Sequence, residues 1–325
     1  MKTLIIIPTY NEYQNLPSLV HEIFSYVPTT DVLIIDDNSP DGTGKLADEM
    51  SQKNPHIHVL HRQGKLGLGT AYIAGFKYAI ARGYDAAFEM DADFSHNPRY
   101  LPDFLRTIQQ ADLVIGSRYV PGGSTPDWSI TRRLISSCGN IFARFILGIP
   151  VHDCTGGYRC YRREVLQSID LETVQSQGYA FQVELTHRVQ KQGFIIVETP
   201  ITFMDRRLGT SKMSRKIVLE AFMFVLQTRL SEGIFSRRQV PVRRSVTSIP
   251  EEVRESSYVG AQTSFPLVQE GFLTSLPASG QIETSTLSLP DSNDGRIRTS
   301  PLRPLKLVPL SKEEEEEKEE EEAVF

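Results

Sequence analysis

The 325-residue sequence has three cysteines, one tryptophan and no long hydrophobic run. Cys138, Cys154 and Cys160 are odd in number and lack CxxC spacing, which argues against a disulfide framework or a zinc site and fits a reducing compartment. The apolar run Leu4–Ile7 is too short for a secretory signal, and no stretch approaches the ~20 apolar residues of a membrane span. We therefore expect a cytoplasmic protein, or one bound peripherally to the cytosolic face of a membrane.

Most of the chain also lacks an excess of acidic charge. The formal net charge is −5, but residues 312–322 contain nine Glu and two Lys and account for more than all of it. The composition changes after about Arg237, where Ser, Thr, Pro, Arg and Glu dominate and aromatics are few. We predict a catalytic domain at 1–232 and a disordered low-complexity tail at 233–325 with an acidic run at 313–322.

Strand and helix patterns alternate along the first 230 residues or so. Short apolar runs predict strands at 4–7, 32–35, 57–60, 86–90 and 113–115, with an extended segment at 201–204. Apolar residues at helical spacing predict helices at 16–27, 44–53, 70–81 and 98–109, and an apolar helix after Arg132 and Arg133. This alternation predicts an α/β fold with a mainly parallel sheet flanked by helices.

A semi-apolar stretch, Ile217–Leu230, precedes several arginines at the end of the predicted domain. We predict an amphipathic helix at 214–230. By spacing alone, such a helix either lies on an anionic membrane surface or packs on the core.

Two carboxylates, Asp91 and Asp93, directly follow the strand predicted at 86–90. Ligands of parallel α/β sheets bind beyond the carboxyl ends of the strands. A pair of carboxylates there is typical of Mg²⁺ or Mn²⁺ bound together with substrate phosphates. Such pairs also occur by chance in loops, and it is the position after a buried strand that favours a metal site. His96 is the one histidine near it.

Polar residues also follow the first two predicted strands. Asp37 is placed to accept hydrogen bonds from a ribose or a base. Tyr10 suits either contact with a nucleobase or packing on the next helix. Asp41, in an Asp-Gly turn, is better explained as a helix cap.

Basic residues cluster around later loops. Arg118 ends a strand, Arg132 and Arg133 precede an apolar helix, and Arg206 and Lys212 lie in a Gly/Ser loop. Arginine and lysine bind phosphate, so these residues suit a sugar nucleotide and a phospholipid acceptor. The glycines of 64–69 match neither a dinucleotide fingerprint nor a P-loop, and we interpret them as allowing close backbone approach or a mobile loop. Residues 153–159 either serve the acceptor or form a turn into a strand.

Taken in order, the motifs resemble those of the dolichol-phosphate (polyprenyl-phosphate) mannosyltransferases, inverting family 2 glycosyltransferases of GT-A fold. The resemblance covers about residues 1–230. The motifs that carry it lie at 7–12, 35–43, 66–72, 90–96, 116–119, 155–159 and 205–206.

The resemblance implies transfer of mannose from GDP-mannose to a polyprenyl or dolichyl monophosphate, with inversion and with Mg²⁺ or Mn²⁺. It implies donor contacts from Pro8, Tyr10, Glu12, Ile35, Asp37, Asp91, Ala92, Asp93, Arg206 and Lys212. It implies metal binding by Asp91 and Asp93, and an acceptor-phosphate site formed by Arg118, Arg132 and Ser136. Catalytic roles then fall to Asp91, Asp93, Arg118 and Arg206. The partners expected are the two substrates, a membrane surface and a membrane-anchoring protein, but no nucleic acid.

The sequence departs from some relatives in having Ser95 where they have Gln, and in lacking their C-terminal membrane helices. Three alternatives stay open. In the first, the donor is another sugar nucleotide such as UDP-glucose. In the second, the acceptor is not a lipid. In the third, the chain binds sugar nucleotides as a scaffold and catalyses no transfer.

Overall fold

The computed structural model describes residues 1–174, 176–205 and 215–231, with side chains of the last range described from Ala221 onward. Within these residues the chain forms seven β-strands, eight α-helices and two short 3-10 helices. The strands are β1 (Thr3–Thr9), β2 (Asp31–Asp36), β3 (Ile57–His61), β4 (Ala86–Glu89), β5 (Leu113–Ser117), β6 (Arg159–Arg162) and β7 (Ile196–Pro200). The α-helices are α1 (Leu16–Tyr26), α2 (Thr43–Lys53), α3 (Leu68–Ala81), α4 (Leu101–Thr107), α5 (Ile130–Leu147), α6 (Arg163–Ser168), α7 (Gly178–Lys191) and α8 (Arg215–Ser231).

The described strands form one sheet in the order β3-β2-β1-β4-β6-β5-β7. All neighbouring strands are parallel except at β6, which is antiparallel to both β4 and β5. The predicted α/β class with a mainly parallel sheet is therefore confirmed. Residues 153–159 lead into a strand, which was one of the two interpretations of that segment.

Helices cover both faces of the sheet, as the uninterrupted apolar run of β1 requires. Leu4 and Ile6 pack in a core with α3, α5 and α7, whereas Ile5 and Ile7 pack in a second core with α1 and α4. Helix α3 lies very close to β1, since a Cβ added to Gly75 would fall 2.5 Å from Cγ2 of Ile6. Glycine at this position therefore sets the distance between helix and sheet.

Most of the predicted elements are confirmed to within a few residues. The segment predicted as extended at 201–204 follows β7, a strand that was not predicted, and within it Thr202 forms an isolated bridge with Ser124. One position was wrong. Arg132 and Arg133 lie inside the first turn of α5 rather than before it, because Ser129 caps the helix by accepting the Arg132 N–H.

A helix is present at α8, close to the bounds predicted for the amphipathic segment 214–230. No described helix is both long and apolar enough to span a bilayer. The predicted tail at 233–325 lies outside the described residues.

Candidate active site

The carboxyl ends of β1, β2 and β4 meet at one edge of the sheet. Pro8 of β1 lies beside Ile35 of β2 in the strand register, and the Asp37 N–H donates to the Thr9 carbonyl over 3.1 Å. Strand β4 adjoins β1 on its other side, so Asp91 emerges at the same edge. The fold thus brings the predicted donor residues of three separate loops together.

The carboxylate pair is held by its neighbours. The buried Tyr72 hydroxyl donates to Oδ1 of Asp91 over 2.8 Å. Burial first, and then the charge of Asp91, raise the pKa of Tyr72 well above its ordinary value, so the phenol stays a donor. Asp93 accepts the Ser95 N–H on Oδ1 over 3.0 Å, in a turn where Phe94 has a φ of 66°.

His96 positions this turn. The imidazole is buried and stacks on Tyr158 at a centroid distance of 4.9 Å. Its Nδ1 accepts the backbone N–H of Asp91 over 2.9 Å. Because Nδ1 accepts a backbone N–H, this nitrogen is occupied within the protein. We therefore interpret His96 as a residue that positions the turn rather than as a general base.

The donor set of this turn fits a divalent metal ion that shares its coordination with a substrate. No group of three or more His, Cys, Asp or Glu converges for metal binding in the part of the chain that the structure describes. Asp91 and Asp93 would supply one or two hard oxygen ligands and leave the rest to phosphate and water, which is how Mg²⁺ is commonly bound. The buried Ser95 hydroxyl lacks a hydrogen-bond partner among the described residues, so a polar group beside the pair is available to a ligand.

Asp37 is bound by an arginine that the sequence analysis missed. Nε and Nη2 of Arg62 donate to its two carboxylate oxygens, each over 2.6 Å, and both side chains are nearly buried. Arg62 also donates to Thr70 and to the Gly67 carbonyl. The pair therefore ties the glycine-containing loop to the segment that follows β2.

The glycines of 64–69 do allow a close approach, as one of the two interpretations held. A Cβ on Gly67, whose φ is +97°, would fall 2.5 Å from Oε1 of Gln177. The Gly69 N–H donates to that same oxygen over 3.3 Å. Lys65 of this loop lies 4.8 Å from the ring centroid of Tyr10.

Asp41 is not the N-cap of α2 that the sequence indicated; the N-cap is Gly42, and Asp41 lies one residue before it, where it binds the first helical residue. Its Oδ1 accepts from the N–H and the hydroxyl of Thr43 at the start of α2, over 3.0 and 2.6 Å. Its Oδ2 accepts the Tyr13 N–H over 3.1 Å. Thr43 in turn accepts the Glu12 N–H over 3.0 Å, so this turn also orients the first donor loop.

Arg118 forms a buried ion pair with Asp153. Its Nε and Nη2 donate to the two carboxylate oxygens, each over 2.7 Å, and the Asp153 side chain is fully buried. Burial raises the pKa of Asp153, but the charge and hydrogen bonds of Arg118 outweigh burial and hold it below its ordinary value. Much of the Arg118 guanidinium is thus occupied within the protein.

Arg132 and Ser136 stand one turn apart on α5. Arg132 donates from Nη1 to Asp205 over 2.8 Å and lies 4.2 Å above the Trp128 ring. The Ser136 hydroxyl accepts from Tyr119 over 2.7 Å. Arg118 joins this group because its guanidinium carbon lies 5.1 Å from the Trp128 ring centroid and 5.4 Å from that of Tyr119. The three predicted acceptor-site residues are therefore neighbours.

An apolar cavity of about 560 Å³ opens beside them between α5, α7 and α8. Arg132, Ser136 and Thr155 give it one polar end, whereas most of its wall is hydrophobic. The apolar wall includes Leu134, Ile135, Phe142, Ala143, Val183, Phe222 and Val225. Such a shape suits a ligand with a charged head and a hydrocarbon body. Arg206 and Lys212, the remaining predicted site residues, lie outside the described residues.

Comparison with known proteins gives consistent matches. The model of glycosyl transferase family 2 matches residues 4–170. The undecaprenyl-phosphate mannosyltransferase of Micrococcus luteus is 50% identical over 240 residues, covering 73% of this chain and 99% of that protein. The polyprenol monophosphomannose synthase of Mycolicibacterium smegmatis is 51% identical over 228 residues, covering 70% of this chain and 86% of that protein.

Solved structures match at a greater distance. Glucosyl-3-phosphoglycerate synthase from Mycobacterium tuberculosis has a TM-score of 0.47 and 18% identity over 71% of this chain and 80% of its own. The mannosyltransferase PcManGT from Pyrobaculum calidifontis, in complex with GDP-Man and Mn²⁺, has a TM-score of 0.44 and 11% identity over 80% of each chain. Family membership therefore rests on the family model and the two sequence relatives.

Proposed function

Since the chain belongs to glycosyl transferase family 2 and is a glycosyltransferase, we propose that it transfers mannose from GDP-mannose to a polyprenyl or dolichyl-type monophosphate. The names of its two half-identical relatives support mannose as the sugar and a polyprenyl phosphate as the acceptor. The product would be a polyprenyl-phosphate mannose formed with inversion.

The observation that carries this proposal is the apolar cavity whose lining includes the polar residues Arg132, Ser136 and Thr155. A polyprenyl phosphate has the same division into a charged head and a long hydrocarbon chain. Burial of hydrocarbon gives about 25 cal/mol per Å², so an apolar cavity favours a prenyl chain over a free sugar. Arg132 and Ser136 at the polar end would face the phosphate, with Arg118 behind them.

On the donor side, the proposal places the guanosine against Pro8, Tyr10, Glu12, Ile35 and Asp37. The diphosphate would lie at residues 91–93, and Arg206 and Lys212 remain proposed phosphate contacts. A Mg²⁺ or Mn²⁺ ion bound by Asp91 and Asp93 would neutralise the diphosphate and so make GDP a better leaving group.

The reaction would be a single in-line displacement. An oxygen of the lipid phosphate attacks the anomeric carbon of mannose, the bond from that carbon to the GDP oxygen breaks, and GDP leaves with the electron pair. A phosphate is already ionised at neutral pH, so the attack requires no strong base. This agrees with a site in which Nδ1 of His96 accepts a backbone N–H. The protein's contribution would be orientation, charge stabilisation and exclusion of water.

Peripheral attachment to the cytosolic face of a membrane is part of the proposal. Helix α5 exposes five large hydrophobic side chains, with Phe145 at 79% and Ile130 at 75% exposure. Helix α8 exposes Phe222, Met223 and Leu230. An apolar face that borders the cavity would admit a lipid acceptor directly from the bilayer.

A donor and acceptor panel tests the proposal. The full chain is incubated with labelled GDP-mannose or UDP-glucose, with a polyprenyl phosphate or the matching polyprenol, and with Mg²⁺, Mn²⁺ or EDTA. We expect label in extractable lipid only with GDP-mannose, the phosphate and a metal. Label from UDP-glucose alone would reassign the donor, and label without the lipid phosphate would contradict the acceptor.

Cys138 allows a second test that does not depend on turnover. It is exposed and lines the cavity, whereas burial raises the pKa of the Cys154 thiol to about 12 and that of the Cys160 thiol well above its ordinary value. A maleimide should therefore label Cys138 selectively, and a polyprenyl phosphate should protect it. Cys138→Ser provides the unlabelled control, and labelling that the lipid leaves unchanged would argue against this cavity as the prenyl site.

A further inference from the structure

Two buried donors at the polar end of the cavity lack hydrogen-bond partners among the described residues. They are Nε1 of Trp128 and Nε of Arg132. Trp128 is 6% exposed, and both residues line the cavity. A buried N–H without an acceptor carries a free-energy cost, so a native protein that keeps two of them side by side gains when a ligand supplies the acceptors.

The charges around these donors leave room for an anion. Asp153, a buried carboxylate close to this group, is already bound by Arg118 in a bidentate pair. Asp205 accepts a single hydrogen bond from Nη1 of Arg132 and is itself 43% exposed, so it neutralises Arg132 only weakly.

Trp128 also lies on the wall between the cavity and the carboxylate turn. Its ring meets Phe203 edge-on at a centroid distance of 5.6 Å, and Phe203 meets His96 edge-on at 5.9 Å. His96 in turn holds the backbone of Asp91. Two ring contacts and one hydrogen bond therefore link the indole at the cavity to the carboxylate turn.

From these contacts we propose that Trp128 donates its indole N–H to a phosphate oxygen of the acceptor, beside Nε of Arg132. This inference rests on the proposed function and adds a specificity residue to its acceptor site. A phosphate offers several charged acceptor oxygens and no obligatory donor, which matches two donors in need of acceptors. The diphosphate of the sugar nucleotide also offers charged phosphate oxygens, so the experiment compares a prenyl phosphate with GDP.

Trp128 is the only tryptophan in the chain, so ¹⁵N-tryptophan labelling of the full protein gives a single indole N–H resonance. We would titrate it with farnesyl phosphate, farnesol, inorganic phosphate and GDP in separate samples. The expected result is a downfield shift of the indole proton with farnesyl phosphate and none with farnesol. An unchanged resonance with farnesyl phosphate, or a shift with GDP alone, would overturn the assignment.

The variant Trp128→Phe keeps an aromatic ring and removes the donor. It should raise KM for the prenyl phosphate about tenfold to a hundredfold, the effect of losing a hydrogen bond to a charged group, with KM for the sugar nucleotide unchanged within about twofold. Equal effects on both substrates would contradict a phosphate contact. Should the variant fail to fold, the titration of the native chain decides. Absence of transfer in the native chain would refute the proposed function, whereas transfer with an unmoved indole resonance would refute this inference alone.

Discussion

The Asp153→Asn substitution should be one of the most destabilising single changes in the domain. The carboxylate accepts the N–H, Nε and Nη2 of Arg118 and the N–H of Gly156 over 2.7 to 3.0 Å. Both charged side chains are nearly or fully buried. Removing one partner of a buried pair leaves the other charge uncompensated, which typically costs about 3–5 kcal/mol. For a domain of this size, that corresponds to a fall in Tm of roughly 10 °C.

Urea unfolding of the wild type and the variant measures this directly. Asp103→Asn serves as the control, because Asp103 pairs with Arg106 at the surface, where both side chains are about 40% exposed. An exposed pair contributes about 0–1 kcal/mol. A loss below about 1 kcal/mol for Asp153→Asn, equal to that of the control, would refute the account of a buried, essential ion pair.

The pH dependence gives an independent check. Because the folded state lowers the pKa of Asp153, this group contributes stability above its ordinary value of 3.8 and loses it as the pH falls toward the lowered value. The wild type should therefore lose stability more steeply than the variant below about pH 4. If the free energy of unfolding of the two proteins falls equally steeply with decreasing pH below about pH 4, the pKa of Asp153 is not lowered in the folded state.

Two further predictions concern α3. Gly75→Ala should destabilise the fold by about 1–3 kcal/mol, because the added Cβ would clash with Ile6. Gly139→Ala is the control: a Cβ added there would meet nothing within 4 Å among the described residues apart from the adjoining backbone, so it should be neutral or stabilising by up to about 1 kcal/mol. Equal effects of the two substitutions in urea unfolding would contradict the close packing at Gly75. Tyr72→Phe removes a hydrogen bond to Asp91, a proposed metal ligand, so it should lower kcat about tenfold and raise the metal concentration needed for half-maximal activity. If the variant requires the same metal concentration as the wild type, Tyr72 does not position Asp91 for metal binding.

Local patterns were sufficient to predict the three strands whose carboxyl ends carry the proposed donor site. β1, β2 and β4 are short apolar runs buried on both faces, and the loops after them meet because parallel strands end together. The same reasoning missed β6, whose sequence Arg-Cys-Tyr-Arg has no apolar run. Its Arg159 is fully buried because the guanidinium donates to the carbonyls of Cys154, Gly156 and Gln182.

The partners of the site residues were harder to predict. Arg62 meets Asp37 across 25 residues of sequence, and Arg118 meets Asp153 across 35. Nothing in the spacing of these residues indicates the pairing, because a register between distant loops depends on the whole sheet. The sequence identified Arg118 only as a cation at the end of a strand. The structure was needed to find that Asp153 binds much of its guanidinium.

In the proposed reaction, the carboxylate turn after β4 supports metal-dependent mannosyl transfer to a lipid phosphate. The most direct test compares the wild type with Asp93→Asn for label passing from GDP-mannose into polyprenyl phosphate, with Mn²⁺ or EDTA, after circular dichroism has shown that both proteins are folded. We predict that the folded variant loses most of the transfer and that EDTA abolishes it in the wild type. Unchanged turnover in Asp93→Asn, or full activity in EDTA, would contradict the account.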